Sequence, residues 1–156
     1  KSTTFVLNDM LNNCYSSEFI DYTYPTCISI APKLTKKYSI KTGSTNTDHL
    51  IFGYNKDILV GVWTGYDDNK KTSNADGLIN KNVWADIVEN YLKDKDTEWY
   101  TAPKNVVGVL IEPISGQLAT DNSKKKKLTY YIKGTEPYLN DEDFDDLIPT
   151  IKENNQ

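Results

Sequence analysis

Three short apolar runs follow one another closely in the first half of the chain. They span residues 38–42, 49–54 and 58–65, and each is rich in β-branched and aromatic residues and bounded by turn-forming residues. Residues 54–57 between the second and third runs have the composition of a tight hairpin turn. Because strands joined by short turns pair antiparallel, the sequence predicts adjacent antiparallel strands of one sheet.

The third run carries apolar side chains on both of its faces. Leu59, Val60, Val62 and Trp63 would point alternately to the two sides of a strand, and all four are apolar. A strand of this kind is typical of the centre of a sheet that helices cover on both sides. We therefore expect Trp63 to pack in the core.

Two segments show the spacing of amphipathic helices. Residues 3–15 carry apolar side chains three or four positions apart, with Thr3 or Thr4 as a cap. Residues 82–93 carry a clearer apolar stripe that includes Trp84, with Asn82 as its cap. Helices combined with antiparallel strands predict an α+β fold.

A separate stretch follows a boundary near residues 99–103. The elements expected there are a strand over 106–111, a turn over 112–116 and a return strand over 128–132. Residues 140–156 are acidic, which predicts a loose tail. The sequence thus predicts a main domain over 1–100 and a small β-appendage with its tail over 101–156.

The charge balance argues against a nucleic-acid partner. The 156 residues carry a net charge of −4, and all 18 basic residues are Lys. Binding to nucleic acid needs a basic face, and Arg is the preferred ligand of phosphate and guanine. No apolar run approaches the roughly 18 residues that span a bilayer.

Cysteine and histidine are too few for a metal site. Cys14 and Cys27 are expected to be small buried apolar residues, in preference to a disulfide. With His49 as the sole histidine, the ligands do not suffice for a structural zinc site, and we expect neither a metal nor a cofactor. We expect His49 to be a polar residue that opens the second strand; its neighbour Asp48 would point to the opposite face.

The segment Lys41-Thr42-Gly43-Ser44 ends the first predicted strand and carries the chemistry. Thr42 and Ser44 are two apart and so share one face, while Lys41 brings a positive charge. Gly43 leaves the backbone open to an extended peptide that adds to the sheet. The N–H near Ser44 can then help to stabilise an oxyanion. This combination is suited to holding a carboxylate beside a reacting carbonyl.

The residues around this segment resemble a known family. The sequences KTGSTN at 41–46, IFGY at 51–54 and VGVWTGYD at 60–67, in this order and spacing, resemble the end of the transpeptidase domain of class A (bifunctional) penicillin-binding proteins. The flanking stretches that share the resemblance lie at 5–11, 83–86, 109–119 and 131–137. The resemblance covers most of residues 2–138.

The resemblance implies a part of the serine β-lactamase and DD-peptidase fold, and an enzyme that cross-links the stem peptides of peptidoglycan. A serine attacks the penultimate D-Ala, and an amine resolves the acyl-enzyme; β-lactams acylate the same serine. In this family Lys41 and Ser44 would be catalytic, with Ser44 N–H as half of the oxyanion hole. Thr42, Gly43 and Thr45 would bind the substrate. The protein would act at the outer face of the bacterial cell membrane, in a membrane-anchored parent.

Two family motifs are missing from this chain in their family form and place. The nucleophile motif Ser-x-x-Lys occurs only at Ser123, in a polar run that we assign to a solvated turn. The family's Ser-x-Asn element is present only in defective form, at Ser73. Together with Lys1 at the start, this indicates the C-terminal portion of the domain, which is inactive alone and needs the N-terminal portion as its partner.

Two other functions stay open at this point. The Lys41 segment could belong to a non-catalytic module that binds a peptide carboxylate of the cell wall. It could also be vestigial in a structural domain, although the intact motif argues against this. A Ser-x-x-Lys motif in the parent chain would distinguish the enzyme from the binding module.

Overall fold

The structure is a computed structural model that describes residues 1–138. Lys1–Pro103 form one compact unit, and a second begins at Lys104. The first unit contains α1 (Ser2–Asn12), β1 (Ser39–Ser44), β2 (Asp48–Tyr54), β3 (Leu59–Gly65) and α2 (Asn74–Leu92). Short 3-10 segments at Asn13–Tyr15, Ser17–Phe19 and Ile28–Lys33 connect α1 to β1. The second unit contains β4 (Val106–Ile111) and β5 (Lys127–Ile132).

The three strands of the first unit form one antiparallel sheet in the order β1-β2-β3. Ser44 lies opposite His49, and Tyr54 lies opposite Leu59. The predicted antiparallel strands are thus confirmed. β1 runs two residues further than expected, to Ser44, so the whole Lys-Thr-Gly-Ser segment is strand.

The prediction that the third run is a central strand is wrong among the residues that the structure describes. β3 pairs only with β2 there, and α2 covers the face that carries Val60 and Val62. On the other face, Leu59 is 66% exposed and Trp63 is 54% exposed, so Trp63 does not pack in the core. The helix on that side, α1, lies against β1 instead. Apolar residues on both faces of a strand do not reveal which strand a helix will cover.

The core lies between α2 and the sheet. Trp84 is fully buried, as predicted, and its Nε1 donates to the main-chain oxygen of Val60 at 3.1 Å. Tyr38 meets the indole edge-on, with ring centroids 5.4 Å apart. The buried members of this cluster are Cys27, Ile30, Tyr38, Ile40, Ile51, Trp84, Ala85, Val88 and Leu92.

Helix α2 begins eight residues before the predicted start. Its cap is Ser73, whose side chain accepts from the N–H of Asp76, while the Asp76 carboxylate accepts from the N–H of Ser73. The expected cap, Asn82, lies inside the helix and donates to the oxygen of Leu78 at 2.9 Å. This capping box satisfies N–H groups that a helix start leaves unpaired.

A buried amide explains why the apolar pattern does not extend to the start of α2. Asn80 faces the sheet, is 2% exposed, and donates to the oxygen of Val62 at 2.9 Å and to Thr64 Oγ1 at 3.0 Å. A third contact, to the oxygen of His49, measures 3.4 Å. A polar residue therefore occupies a core-facing position and interrupts the pattern from which the start was predicted.

The second unit is a hairpin. β4 and β5 pair antiparallel, with Val106 opposite Ile132, and both strands lie where the sequence predicts them, β5 starting one residue earlier. Ser123 accepts from the N–H of Thr120 at 2.9 Å, as a turn residue does. The predicted tail over 140–156 lies outside the described residues. Over residues 1–138, none of the helices has the length and apolar character to cross a membrane.

Candidate active site

The turn between β1 and β2 fixes the end of β1, which carries the Lys-Thr-Gly-Ser segment and is called the motif strand here. Thr45 N–H donates to the oxygen of Asp48 at 2.9 Å, and Thr45 Oγ1 donates to Asp48 Oδ2 at 2.8 Å. The Thr47 hydroxyl and the Trp63 indole N–H also donate to this carboxylate, at 2.6 and 3.0 Å. Hydrogen bonds from Thr47, Thr45 and Trp63 hold the pKa of Asp48 below its ordinary value. Thr45, predicted to bind substrate, uses its hydroxyl in this turn; contact with a ligand stays a prediction.

The outer edge of β1 offers main-chain groups to a ligand. The Thr45–Asp48 bond closes the hairpin, and hydrogen-bonded and non-bonded pairs alternate along an antiparallel ladder. The N–H groups of Ser44 and Thr42 therefore point away from β2. No strand among residues 1–138 pairs with β1 on that side. The edge can thus accept an extended peptide.

Gly43 is open to solvent. A Cβ atom built at this position meets no atom within 4 Å, and its backbone needs no conformation special to glycine. The glycine is therefore not required by the packing of the chain itself. Its bare backbone leaves room for another molecule to lie against the strand.

A cavity of about 470 Å³ lies beside the motif strand. Thr42, Gly43 and Ser44 line it from β1, and His49 from β2. Lys81, on α2, lines it from the opposite side. The lining therefore includes the hydroxyl groups of Thr42 and Ser44 from the motif and the ammonium group of Lys81, which are donors suited to a carboxylate.

His49 supports the wall of this cavity. Its Nε2 donates to the main-chain oxygen of Ser73 at 3.0 Å, which ties β2 to the start of α2. Its ring lies so close to Gly77 that a Cβ there would be 2.9 Å from Cε1. The neighbouring Asp48 is bound to the hairpin turn. Asp48 and His49 therefore bond to different parts of the chain, as expected for neighbours on opposite faces of a strand.

Lys41 lines a different cavity from Gly43 and Ser44. Its side chain is exposed, and Nζ donates to the main-chain oxygen of Thr42 at 2.7 Å. A second cavity, of about 220 Å³, is lined by Lys41, Thr42, Thr26 and Cys14 among others. Thr42 Oγ1 donates to Thr26 Oγ1 at 3.0 Å. The structure thus gathers Thr42, Gly43 and Ser44 at one cavity and places Lys41 at the next.

Comparison with known proteins gives these features a context. The chain is 35% identical to penicillin-binding protein 2D of Bacillus subtilis over 138 residues, which is 88% of this chain and 20% of the relative. The model of the C-terminal domain of penicillin-binding protein 1A matches residues 102–145. The chain is homologous to the C-terminal part of the class A penicillin-binding proteins.

Further relatives agree with this assignment. Penicillin-binding protein 1A of Escherichia coli is 28% identical over 115 residues, covering 62% of this chain and 13% of the relative. The crystal structure of penicillin-binding protein 1A from Haemophilus influenzae superposes with a TM-score of 0.71, over 90% of this chain and 21% of that one. At 23% identity this likeness speaks for the fold, and the predicted α+β fold is confirmed. The chain spans about a fifth or less of the length of these penicillin-binding proteins.

The sequence did not reveal every residue that lines the cavity beside the motif strand. This cavity, called the motif cavity below, is also lined by Tyr24 and Thr26 from a loop and by Lys81 from α2. The loop and the helix are distant in sequence from the motif. No local pattern marks them. The register of the β1–β2 hairpin, which sets His49 opposite Ser44, is a signal that would have found His49.

Proposed function

We propose that this chain is the C-terminal segment of a peptidoglycan D,D-transpeptidase, a serine acyl transferase that cross-links the stem peptides of the cell wall. The observation that carries the proposal is β1 itself. It offers an edge that no strand of residues 1–138 pairs with, an uncovered Gly43, and the hydroxyls of Thr42 and Ser44 beside one cavity. Homology to penicillin-binding proteins over most of the chain supports the same role.

In this proposal a stem peptide lies as an added strand along the outer edge of β1. The N–H of Ser44, which the register turns outward, binds the carbonyl oxygen as charge develops on it. Such a donor contributes about 3–4 kcal/mol to transition-state stabilisation. The hydroxyls of Thr42 and Ser44 hold the terminal carboxylate, and Lys41 supplies positive charge and assists proton transfer. Thr45 and Gly43 complete the substrate-binding set.

The nucleophile comes from outside this segment. The serine of a Ser-x-x-Lys motif, in the N-terminal portion of the domain, attacks the carbonyl of the penultimate D-Ala and the terminal D-Ala leaves. An amine of a neighbouring stem then takes the acyl group. Residues 1–100 supply one wall of the site, and 101–156 form the appendage. β-Lactams acylate the same serine. Because that serine lies outside this segment, the segment alone is inactive. The complete protein acts at the outer face of the cell membrane.

Covalent labelling with penicillin tests the proposal. A chimera carries this chain in place of the matched segment of the Bacillus subtilis penicillin-binding protein 2D. After incubation with a labelled penicillin, peptide mapping by mass spectrometry should find the adduct on the relative's portion. The 156-residue chain alone should show no adduct by intact mass.

Two results would overturn the proposed transpeptidase role. A folded chimera, with cooperative thermal unfolding, that is not acylated would show that this segment cannot form the wall of such a site. A covalent adduct on the isolated chain would mean that one of its own serines is the nucleophile. A chimera that binds a stem-peptide analogue without being acylated would favour the non-catalytic module.

A further inference from the structure

Two cysteines lie side by side next to the motif strand. The Sγ atoms of Cys14 and Cys27 are 2.7 Å apart, and both are free thiols in this structure. The main chains are also in contact, because the N–H of Cys27 donates to the oxygen of Cys14 at 2.8 Å. A disulfide has an S–S length of about 2.0 Å, so the sulfurs need to approach by less than about 1 Å.

The two thiols differ in a way that suits stepwise oxidation. Cys14 is half-buried and lines the cavity beside Lys41, whereas Cys27 is fully buried in the core. The hydrogen bond between the two thiols, helped by Thr26 and the charge of Lys41, lowers the pKa of Cys14 to about 7. The same contact and burial raise the pKa of Cys27. Cys14 is thus the accessible thiolate, and Cys27 is the thiol behind it.

We propose that Cys14 and Cys27 form an intramolecular disulfide when the folded chain meets a thiol–disulfide oxidant. The Cys14 thiolate attacks one sulfur of the oxidant's disulfide, which makes a mixed disulfide and releases one thiolate. Cys27 then gives up its proton and attacks the Cys14 sulfur, which releases the second thiolate. The pair loses two electrons and two protons, and the oxidant becomes two thiols.

The bond would close the loop that carries Thr26, a residue in hydrogen-bond contact with the motif strand. Thr26 Oγ1 lies 3.2 Å from Cys14 Sγ and accepts from Thr42 Oγ1 at 3.0 Å. Closing the loop between Cys14 and Cys27 removes freedom from the unfolded chain and holds Thr26 against β1. The inference rests on this geometry and not on the transpeptidase role, although the proposed location outside the membrane is a compartment where disulfides persist.

A digestion experiment tests the bond directly. The 156-residue chain is exposed to oxidised glutathione, remaining thiols are blocked with iodoacetamide, and the protein is cut with trypsin and glutamyl endopeptidase. Cleavage after Glu18 separates the two cysteines, which trypsin alone leaves on one peptide. The two peptides should stay joined, and dithiothreitol should release them. Joining should be at least about tenfold faster in the folded chain than in urea, because folding places the thiols together.

The Cys27→Ser variant is the matched control and should give no joined pair. Three results would overturn the proposal. The first is recovery of both cysteines with separate adducts of glutathione or iodoacetamide. The second is joining only between chains, seen as a dimer on a non-reducing gel. The third is an equal rate of disulfide formation in the folded chain and in the urea-unfolded chain. None of these outcomes depends on acylation by penicillin, so the two proposals fail separately.

Discussion

Gly53 of β2 lies directly against the indole of Trp84. A Cβ atom at Gly53 would be 2.1 Å from Trp84 Cζ2, whereas at Gly43, on the neighbouring strand, it would meet nothing within 4 Å. Two glycines of one hairpin therefore have different reasons to be glycine. At Gly53 the reason is packing of the chain itself, and at Gly43 it is the space left outside the strand.

This contrast gives a paired prediction about stability. Gly53→Ala should lower the free energy of unfolding by about 2 kcal/mol, because the rigid, buried indole cannot move aside. Gly43→Ala should change it by less than about 0.5 kcal/mol. Urea unfolding followed by Trp fluorescence measures both. Equal effects of the two substitutions would contradict the packing of α2 on the sheet.

Lys41→Ala should slow acylation of the chimera by labelled penicillin on the order of 100-fold, because it removes a charge at the substrate carboxylate. The Lys41 side chain is exposed, so the fold should be retained and the thermal unfolding temperature unchanged. Lys56→Ala, in the turn between β2 and β3, is the control and should acylate at the unaltered rate. The assigned role of Lys41 is wrong if the two variants are acylated equally fast.

Acid should weaken the hairpin through Asp48. Its pKa is lowered in the folded state, chiefly by the bond from Thr47, so its stabilising contribution is complete above the ordinary aspartate pKa of about 4. The contribution is lost as the pH falls through the lowered pKa. Asp48→Asn should therefore reduce stability at pH 7 and flatten its decline in acid, as urea unfolding between pH 7 and pH 2 would reveal. An unaltered acid profile would contradict this account.

The start of α2 can be tested by its cap. Ser73→Ala should cost about 1 kcal/mol of stability and speed hydrogen exchange in the first turn, because the capping box is lost. Asn82→Ala lies inside the helix and should leave stability unchanged or raise it by up to about 0.5 kcal/mol. A larger loss of stability for Asn82→Ala than for Ser73→Ala would instead support the helix start that the sequence predicts.

The sequence predicted most of the sheet and the position of the motif. β-Branched and aromatic runs located β1, β2 and β4, and the resemblance to penicillin-binding proteins is confirmed. These predictions succeeded because strand runs and motif spacing are local properties of the chain. The helix over 3–15 was correct for most of its length, ending at Asn12 before a 3-10 turn.

The errors share a physical cause, which is tertiary contact. Trp63 is exposed because α1 covers β1 and leaves this face of β3 open. The early start of α2 was missed because Asn80 and Gly77 face the sheet with no apolar side chain. Likewise, Thr26 and Lys81 reach the motif cavity only through the packing of their segments. None of these contacts is encoded in the spacing of neighbouring residues.

Asn80 has a consequence for the distance between the two sides of the motif cavity. Apolar packing has no direction, so a helix held by it alone can slide along a sheet at little cost. The bonds from the Asn80 amide to Val62 and Thr64 are directional and would break together in such a slide. The next residue is Lys81. Together with the bond from the Trp84 indole to Val60, these bonds fix where the backbone of Lys81 stands relative to the motif, from a strand two positions away in the sheet.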